Sequence, residues 1–362
     1  MLFVCPARYP RAALVIKYIG SKRKLVPNIL AAFGVLPDGA EILDLFSGTS
    51  RVGHALKRQG FAVTANDHTH FAATLARCYV AADRDEVEAP VRRVLAELMK
   101  QPPHDGWFTE TYCRQSRYLR PVNGARIEGM RNHLAEMDLP ADLEAIVLVS
   151  LMEAADRVDS TTGVQMAYLK KWAARSSNKV ELRMPEVLPG PGTAWRKEAI
   201  DAASDYRGHA AYLDPPYNQH SYQGNYHLWE TLVRWDEPET YGIAMKRIDC
   251  RTYKSPFNSK RRIQQAVREV IDALDTDMLI VSFNNEGFIS RQEMEGYLAD
   301  RGTVRVVELD YRRYVGAKIG IHDLKGRKVG KVSHLTNKEL LFVAGTDSDR
   351  VVKAAKAANR PV

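Results

Sequence analysis

Cysteine is scarce and scattered in this sequence. The four cysteines of the 362-residue chain are Cys5, Cys78, Cys113 and Cys250, and no CxxC pair or Cys/His spacing typical of a metal site occurs. Neither a disulfide framework nor a zinc site is therefore supported, and we expect no bound metal.

Long apolar runs are also missing. No stretch approaches the ~20 consecutive apolar residues that a membrane-spanning helix needs. Prolines and arginines at positions 6, 8, 10 and 11 interrupt the N-terminal segment, so it lacks the continuous apolar core of a signal peptide. The sequence thus predicts a cytoplasmic protein with no membrane partner. It contains no internal repeat and no low-complexity tract.

Positive charge is plentiful. Apolar residues make up 45% and charged residues 27%, as in globular proteins, while the net charge of +8 favours a polyanionic partner. Residues 246–262 hold seven Lys or Arg against one acid, and residues 311–331 hold seven against Asp323. Runs of charged residues usually form solvated surfaces. Because aromatic residues lie among the basic residues of these two runs, we predict contacts with nucleic-acid phosphates. The candidates are Lys254, Lys260, Arg261, Arg312 and Arg313.

A short apolar segment, residues 209–213, ends at Asp214-Pro215-Pro216-Tyr217. Two successive prolines cannot continue a strand ladder, so the segment predicts a buried strand followed by a stiff loop. The Asp214 carboxylate and the Pro215 carbonyl can accept the two N–H bonds of an exocyclic amino group, and Tyr217 can stack on a flat base. Asp-Pro and Pro-Pro pairs are also ordinary turn formers, which is the alternative interpretation.

Residues 41–67 predict a strand–helix–strand unit with a glycine-containing first turn, Ser47-Gly48-Thr49-Ser50. Asp67 follows Gly48 by 19 residues, close to the spacing of a ribose-binding acid. Ser50 stands where a dinucleotide-binding turn has its middle glycine, so a pyrophosphate is disfavoured. A nucleoside without phosphates, such as S-adenosylmethionine, fits this turn better. Residues 198–202 are predicted to place a further acid, Asp201, at a strand end.

Near the N-terminus, Tyr18 and Lys22 flank a Gly-Ser turn. One aromatic and one cation on a tight turn can hold the carboxylate of a zwitterionic ligand, although a solvated helix start explains the same residues. Residues 84–191 look mainly helical and interrupt the strand–helix pattern. Within them, residues 101–123 mix aromatics with arginines, which fits either nucleic-acid contact or a small core.

The order of these segments resembles that of Dam-type DNA adenine methyltransferases. The matching segments are Tyr18-Ile19-Gly20-Ser21-Lys22, Asp44-Leu45-Phe46-Ser47-Gly48-Thr49, Asn66-Asp67, Asp214-Pro215-Pro216-Tyr217, Asn225-Tyr226-His227-Leu228-Trp229-Glu230-Thr231 and Ser282-Phe283-Asn284-Asn285-Glu286-Gly287. The resemblance covers most of residues 17–345, and Ser50 is its main departure. It implies an α/β Rossmann-like methyltransferase fold: a mostly parallel seven-stranded sheet with a C-terminal antiparallel hairpin. Residues 1–83 and 192–362 would form the catalytic domain, and residues 84–191 an inserted helical target-recognition region.

The resemblance also implies an activity and a set of site residues. The chain would transfer a methyl group from S-adenosylmethionine to the amino group of adenine in double-stranded DNA, after the base is flipped into the loop of Asp214, Pro215 and Tyr217. A partner restriction endonuclease would fit such an enzyme. Asp67 would bind the ribose hydroxyls of the cofactor, and Asp201 would meet its adenine amino group. The remaining cofactor residues would be Tyr18, Lys22, Asp44, Phe46, Ser47, Gly48, Thr49 and Asp214.

Other functions stay open at this point. An RNA methyltransferase acting on adenine or on a guanine amino group can carry a similar tetrapeptide, although the long insertion favours DNA. A cytosine amino-group methyltransferase more often begins this tetrapeptide with serine. A non-catalytic DNA-binding protein would not need Lys22, Asp67, Asp214 and Tyr217 together, and a dehydrogenase would not explain Ser50.

Overall fold

A computed structural model describes residues 16–166, 168–312, 321–322, 328–330 and 336–358, giving only the backbone for residues 310–337 within these ranges. The strands are β1 (Glu41–Asp44), β2 (Ala62–Asn66), β3 (Thr193–Trp195), β4 (Ala210–Leu213), β5 (Thr240–Tyr241), β6 (Lys246–Arg247), β7 (Met278–Asn284), β8 (Val304–Arg312), β9 (Ile321–His322), β10 (Lys328–Gly330) and β11 (Thr336–Gly345).

Helices cover both faces of the sheet. They are α1 (Val26–Phe33), α2 (Arg51–Arg58), α3 (His70–Ala76), α4 (Arg84–Leu98), α5 (Trp107–Thr109), α6 (Pro121–Glu136), α7 (Ala141–Val158), α8 (Ala199–Asp205), α9 (Tyr222–Asn225), α10 (His227–Arg234), α11 (Asp249–Thr252), α12 (Ile263–Ala273), α13 (Arg291–Leu298) and α14 (Ser348–Ala357). Short 3-10 or π turns are Lys22–Lys24, Arg77–Ala81, Glu110–Gln115, Ala174–Ser177, Pro256–Asn258 and Ala299–Arg301. None of the helices described here is both long and apolar enough to span a membrane.

The main sheet has seven strands in the order β3-β2-β1-β4-β7-β11-β8. The first five pair in parallel, whereas β11 runs antiparallel to both β7 and β8. This confirms the predicted mostly parallel sheet with a C-terminal antiparallel hairpin. The strand order reverses between β1 and β4, and in such sheets the crevice beyond the carboxyl ends at this point is where ligands bind.

The sheet positions this crevice because its central strands are apolar on both faces. Every residue of β4 and β7 is buried, as parallel strands covered on both sides require. Alternate residues point to opposite faces: Ile42 packs in a core with α1, α2 and α14, and Leu43 in another with α8, α12 and α13. The polar residues that follow the strands are thereby held at one edge.

The chain between β2 and β3 is helical, from α3 to α7. Val91, Ile127 and Val149 of this part share one core with Phe71 of α3 and Trp229 of α10. The predicted helical character of residues 84–191 is therefore observed, but these helices pack into the rest of the protein. Their role as a target-recognition region stays a prediction.

The aromatic and arginine-rich residues 101–123 form part of this core. Phe108, Tyr112 and Tyr118 are buried, and the Phe108 ring lies 5.4 Å from that of Trp235. Arg114 pairs with Asp105 on the surface. Of the two interpretations of this stretch, packing is the one that the structure supports, because these three aromatic rings are buried.

The predicted strand end at residues 198–202 is wrong. The strand of this region is β3, which is only three residues long, and Asp201 lies in the first turn of α8. The side chains of Ala199, Ala202 and Ala203 pack on the sheet, so Asp201 faces outward and is exposed. Alanine is a strong helix former, and it outweighs the apolar pattern that suggested a strand.

Candidate active site

The carboxyl ends of β1, β2 and β4 surround one cleft of about 680 Å³, counted to its open mouth. All of the predicted cofactor-binding residues line it except Asp201: Tyr18, Lys22, Asp44, Phe46, Ser47, Gly48, Thr49, Asp67 and Asp214. Sequence segments nearly 200 residues apart therefore converge on one site.

The turn between β1 and α2 has an unusual backbone. Gly48 has φ +51° and Ser50 has φ +55°, so both lie in the left-handed region. A Cβ on Gly48 would lie 3.1 Å from the Tyr18 hydroxyl, so glycine is needed there for space. Ser50 is fully buried at the N-cap of α2, where its side chain makes no capping hydrogen bond. Within the described structure, the buried Ser47 Oγ has no hydrogen-bond partner and lines the cleft.

Asp67 follows β2 and faces the cleft with a side chain that is 15% exposed. Its Oδ2 accepts from the Gly48 amide at 3.1 Å, and its Oδ1 accepts from the Thr69 amide at 3.1 Å and the Thr69 hydroxyl at 2.9 Å. These bonds fix the carboxylate against the β1–α2 turn, and Oδ2, which accepts only one of them, retains a lone pair for a ligand hydroxyl.

Asp44 ends β1 at the floor of the cleft and is 1% exposed. Its Oδ2 accepts from the Gly53 amide in α2 at 2.9 Å. Burial raises the pKa of Asp44 to about 7, the Gly53 bond opposes this, and the charges of Asp214 and Asp67 add to it. The cleft thus contains three neighbouring carboxyl groups, a setting that favours a cation.

Three tyrosines form one wall. The Tyr18 ring stacks at 4.5 Å on Tyr226 and at 5.2 Å on Tyr222. The Tyr226 hydroxyl accepts from the Ile19 amide at 2.6 Å, which fixes the N-terminal turn to α9. Gly20 has φ +79°, and a Cβ there would lie 2.9 Å from the Tyr222 hydroxyl. Tyr222 lines the cleft and was not predicted as a site residue; its only signal was its position five residues after Tyr217.

Lys22 links the loop after β4, which begins with Asp214, to strand β11 of the sheet. Its Nζ lies 2.9 Å from Asp214 Oδ1 and 2.5 Å from Glu339 Oε1. Burial alone would lower the pKa of Lys22, but Asp214 and Glu339 outweigh it and hold this pKa well above its ordinary value. Burial raises the pKa of Asp214 to about 6, against the opposing effect of Lys22. Glu339 was not predicted, because it lies in β11 outside every recognised motif.

The loop after β4 brings the predicted catalytic residues to the mouth. Asp214 lines the cleft, while Pro215 and Tyr217 lie beside it. The half-buried Tyr217 ring meets Phe283 of β7 edge to face at 6.0 Å. The Asn258 side chain donates to the backbone carbonyls of Asn218 and His220 at 2.8 and 3.0 Å, which ties the loop to the basic residues 246–262.

A smaller pocket of about 320 Å³ adjoins the cleft and shares Phe46, Asp67 and Pro216 with it. Phe46 meets Phe257 edge to face at 5.0 Å, which makes one apolar side. Glu198 lines the pocket and accepts from the Tyr253 hydroxyl at 3.1 Å. Asp201 lines neither cavity, so Glu198 is the acid that this segment contributes.

The basic residues 246–262 are of two kinds. Lys254, Lys260 and Arg261 are exposed, as phosphate contacts require. Arg247 is 2% exposed and pairs with Asp236 at 2.6 Å and Asp249 at 3.0 Å, so it is structural. The side chain of Arg312 and the whole of Arg313 lie outside the described residues. In the part of the chain that the structure covers, no group of acids, histidines or cysteines has the arrangement of a metal site.

Comparisons with known proteins agree with this geometry. Residues 18–295 match the family model of D12 class N6 adenine-specific DNA methyltransferases. The chain is 29% identical to the modification methylase StsI of Streptococcus sanguinis over 82% of its own length but 48% of that protein. It is 28% identical to the type II methyltransferase M.NlaIII of Neisseria lactamica over 89% of its length and 99% of that protein.

A solved precorrin-6y C5,15-methyltransferase from Geobacter metallireducens GS-15 covers 92% of this chain and 94% of its own at 10% identity, with a TM-score of 0.29 that is too low to carry an argument. The family model spans more than half of the chain and includes the N-terminal turn, the β1–α2 turn and the Asp214 loop. The chain therefore belongs to the D12 class of N6 adenine-specific DNA methyltransferases.

Proposed function

We propose that this chain methylates the exocyclic amino group of adenine at a specific site in double-stranded DNA, with S-adenosylmethionine as the donor. The observation that carries this proposal is the position of Asp214. Its carboxylate lines the cleft at the carboxyl ends of β1, β2 and β4 and is followed by Pro215 and the half-buried ring of Tyr217.

The residues present fit S-adenosylmethionine. Ser47 Oγ is a buried polar atom that has no partner in the described structure, and Asp67 Oδ2 offers a lone pair suited to a ribose hydroxyl. Lys22 and the Tyr18 turn would hold the amino-acid end. The adjoining pocket, with Phe46, Phe257 and Glu198, would take the adenine ring, so Glu198 replaces Asp201 in this role. When bound, the donor supplies a methyl group that its sulfonium has already activated.

The protein's task is to prepare the amine. The lone pair of the adenine amino group is delocalised into the ring, so the nitrogen is a poor nucleophile. Asp214 and the Pro215 carbonyl would accept its two N–H bonds, which favours a pyramidal nitrogen and aims the lone pair at the methyl carbon. Such positioning is worth ~7–11 kcal/mol. The nitrogen gains the methyl group, sulfur keeps the electrons of the broken bond, and the amine then loses a proton.

The DNA is proposed to lie across the mouth of the cleft. Extruding a base costs a few kcal/mol, and stacking on Tyr217 would offset part of this. Lys254, Lys260 and Arg261 are exposed beside the loop, and phosphate contacts of this kind supply sequence-independent affinity. Residues 84–191 would read the target sequence. The relatives include proteins named as a modification methylase and a type II methyltransferase, which fits a restriction-modification setting. A cognate endonuclease and a cytoplasmic location are part of this proposal.

Expression in a host that lacks DNA methylation tests this proposal. Sequencing of its DNA with detection of modified bases should reveal N6-methyladenine at one short motif, and the Asp214→Ala variant should leave that motif unmodified. Purified duplex DNA and ribosomal RNA, incubated side by side with a labelled donor, separate the DNA enzyme from an RNA enzyme. Labelling of RNA alone would refute the proposal.

A further inference from the structure

Lys22 lies between two carboxylates, and the chemistry above uses only one of them. Its Nζ is 2.5 Å from Glu339 Oε1 and 2.9 Å from Asp214 Oδ1. Glu339 belongs to β11, where it pairs in register with Asn284 of β7, and it is 3% exposed. Burying a charge is costly unless its partners are well placed. The burial of the Glu339 carboxylate next to the Asp214 loop therefore requires an explanation.

The two carboxylates differ in their surroundings. Glu339 also accepts from Ser282 Oγ at 2.7 Å and from Asn284 Nδ2 at 3.5 Å, and it has no access to the cleft lining. Asp214 lines the cleft with a side chain that is 21% exposed, and Lys22 is its one side-chain partner within the described ranges. Glu339 is therefore the fixed counter-ion of Lys22, and the second oxygen of Asp214 remains for a ligand.

This arrangement leaves a net charge at the cleft. Lys22 and Glu339 cancel each other, so one negative charge stays on Asp214. If Glu339 were neutral, the Lys22 ammonium would be balanced by Asp214 alone, and the cleft would face the ligand with a neutral pair. In a partly buried site, a difference of one charge at short range changes the binding free energy of a charged ligand strongly. It matters for a positively charged sulfonium donor and much less for the neutral thioether product.

We propose that Glu339 is a positioning residue for methyl transfer: it neutralises Lys22, so that the negative charge of Asp214 is not cancelled and one Asp214 oxygen remains for the sulfonium donor and the target amine. This inference rests on the proposed function. It predicts that loss of the Glu339 charge weakens the binding of the sulfonium donor more than the binding of the thioether product.

The test is the Glu339→Gln variant of the full chain, with dissociation constants for S-adenosylmethionine and S-adenosylhomocysteine measured without DNA. We expect the donor to bind ~10-fold more weakly, a change of about 1.4 kcal/mol, and the product to change less than about twofold, since only the donor carries the extra charge. The acid limb of the pH–rate profile should move to lower pH, because Lys22 then stabilises the Asp214 anion alone.

Glu308→Gln is the matched control. Glu308 lies on the neighbouring strand β8 and forms a surface pair with Lys338 at 2.7 Å, so its loss should leave both constants unchanged. The double variant Lys22→Met/Glu339→Gln removes the buried pair together and restores one negative charge. It should regain the wild-type preference for donor over product, and it decides the question if the single variant does not fold.

Equal weakening of donor and product in Glu339→Gln, or no recovery of the preference in the double variant, would overturn the inference. If the wild-type chain methylates DNA but the Glu339→Gln variant still prefers the donor over the product as the wild type does, the inference fails and the proposed function stands. A wild-type chain that binds neither ligand would instead remove the proposed function itself.

Discussion

Donor binding should release protons from the cleft at mildly acidic pH. Asp44, with a pKa of about 7, and Asp214, with a pKa of about 6, are both raised by burial. At pH 6.5 the first is about three-quarters protonated and the second about one-quarter, which together makes about one bound proton. A cation a few ångströms away lowers a carboxyl pKa by ~1–3 units. The sulfonium should therefore displace about 0.5–1 proton.

The sign of the pH dependence follows from this shift. Because the pKa values fall on binding, donor affinity should rise with pH between about 5 and 7 and level off above it. S-adenosylhomocysteine has the same amino-acid group and nucleoside but no sulfonium, so it serves as the control ligand. Its binding should release no protons, and desolvation of the cleft can only raise the carboxyl pKa values further.

Isothermal titration calorimetry at pH 6.5 in phosphate and in imidazole measures the proton count, because the two buffers differ in ionisation enthalpy. The difference in apparent binding enthalpy divided by that difference gives the protons released. If donor and product release equal numbers of protons, or if the donor releases none, the carboxyl groups of the cleft do not respond to the sulfonium. The charge argument for this site would then be refuted.

Three substitutions extend these tests. Asp214→Asn keeps the side-chain size but removes the charge, and it should lower turnover ~10³-fold while product binding by titration stays within about threefold; near-normal turnover would contradict its role. Asp67→Ala removes an ionised acceptor and should raise KM for the donor ~10–100-fold with little change in kcat, and an unchanged KM would remove Asp67 from the site. Arg247→Met removes the buried partner of Asp236 and Asp249, which keep Arg234 as a partner, so the unfolding free energy from urea titration should fall by about 1–2 kcal/mol; an unchanged urea midpoint would show that this ion cluster is not structural.

Residues at strand ends were predictable from the sequence. Asp67 and Asp214 each follow a short apolar strand, and parallel strands bring their carboxyl ends to one edge of the sheet. Local pattern and chain direction are enough to place such residues together. The stacking of Tyr18 was less predictable, because its partners Tyr222 and Tyr226 lie far from it in the sequence, at the start of α9 and directly after this helix.

The errors have a common physical cause. Asp201 was misplaced because β3 is too short to give a clear pattern and the alanine-rich segment after it forms a helix. Arg247 belongs to a run of basic residues that was predicted to be a surface run, yet its side chain is buried and pairs with Asp236 and Asp249. Glu339 looked like an ordinary polar residue at the start of a strand. In each case tertiary packing determines the burial and the partners of the side chain, and the local sequence pattern does not indicate them.

The pairing of Lys22 with Glu339 joins residues 317 positions apart. Ribosomes make β11 late, after nearly all of the catalytic motifs have left the exit tunnel. A nascent or prematurely terminated product that stops before Glu339 carries every recognisable signature, but its Lys22 ammonium has Asp214 as its only carboxylate partner among the described contacts. The charge arrangement of the cleft is therefore complete only once β11 has been made and has paired with β7.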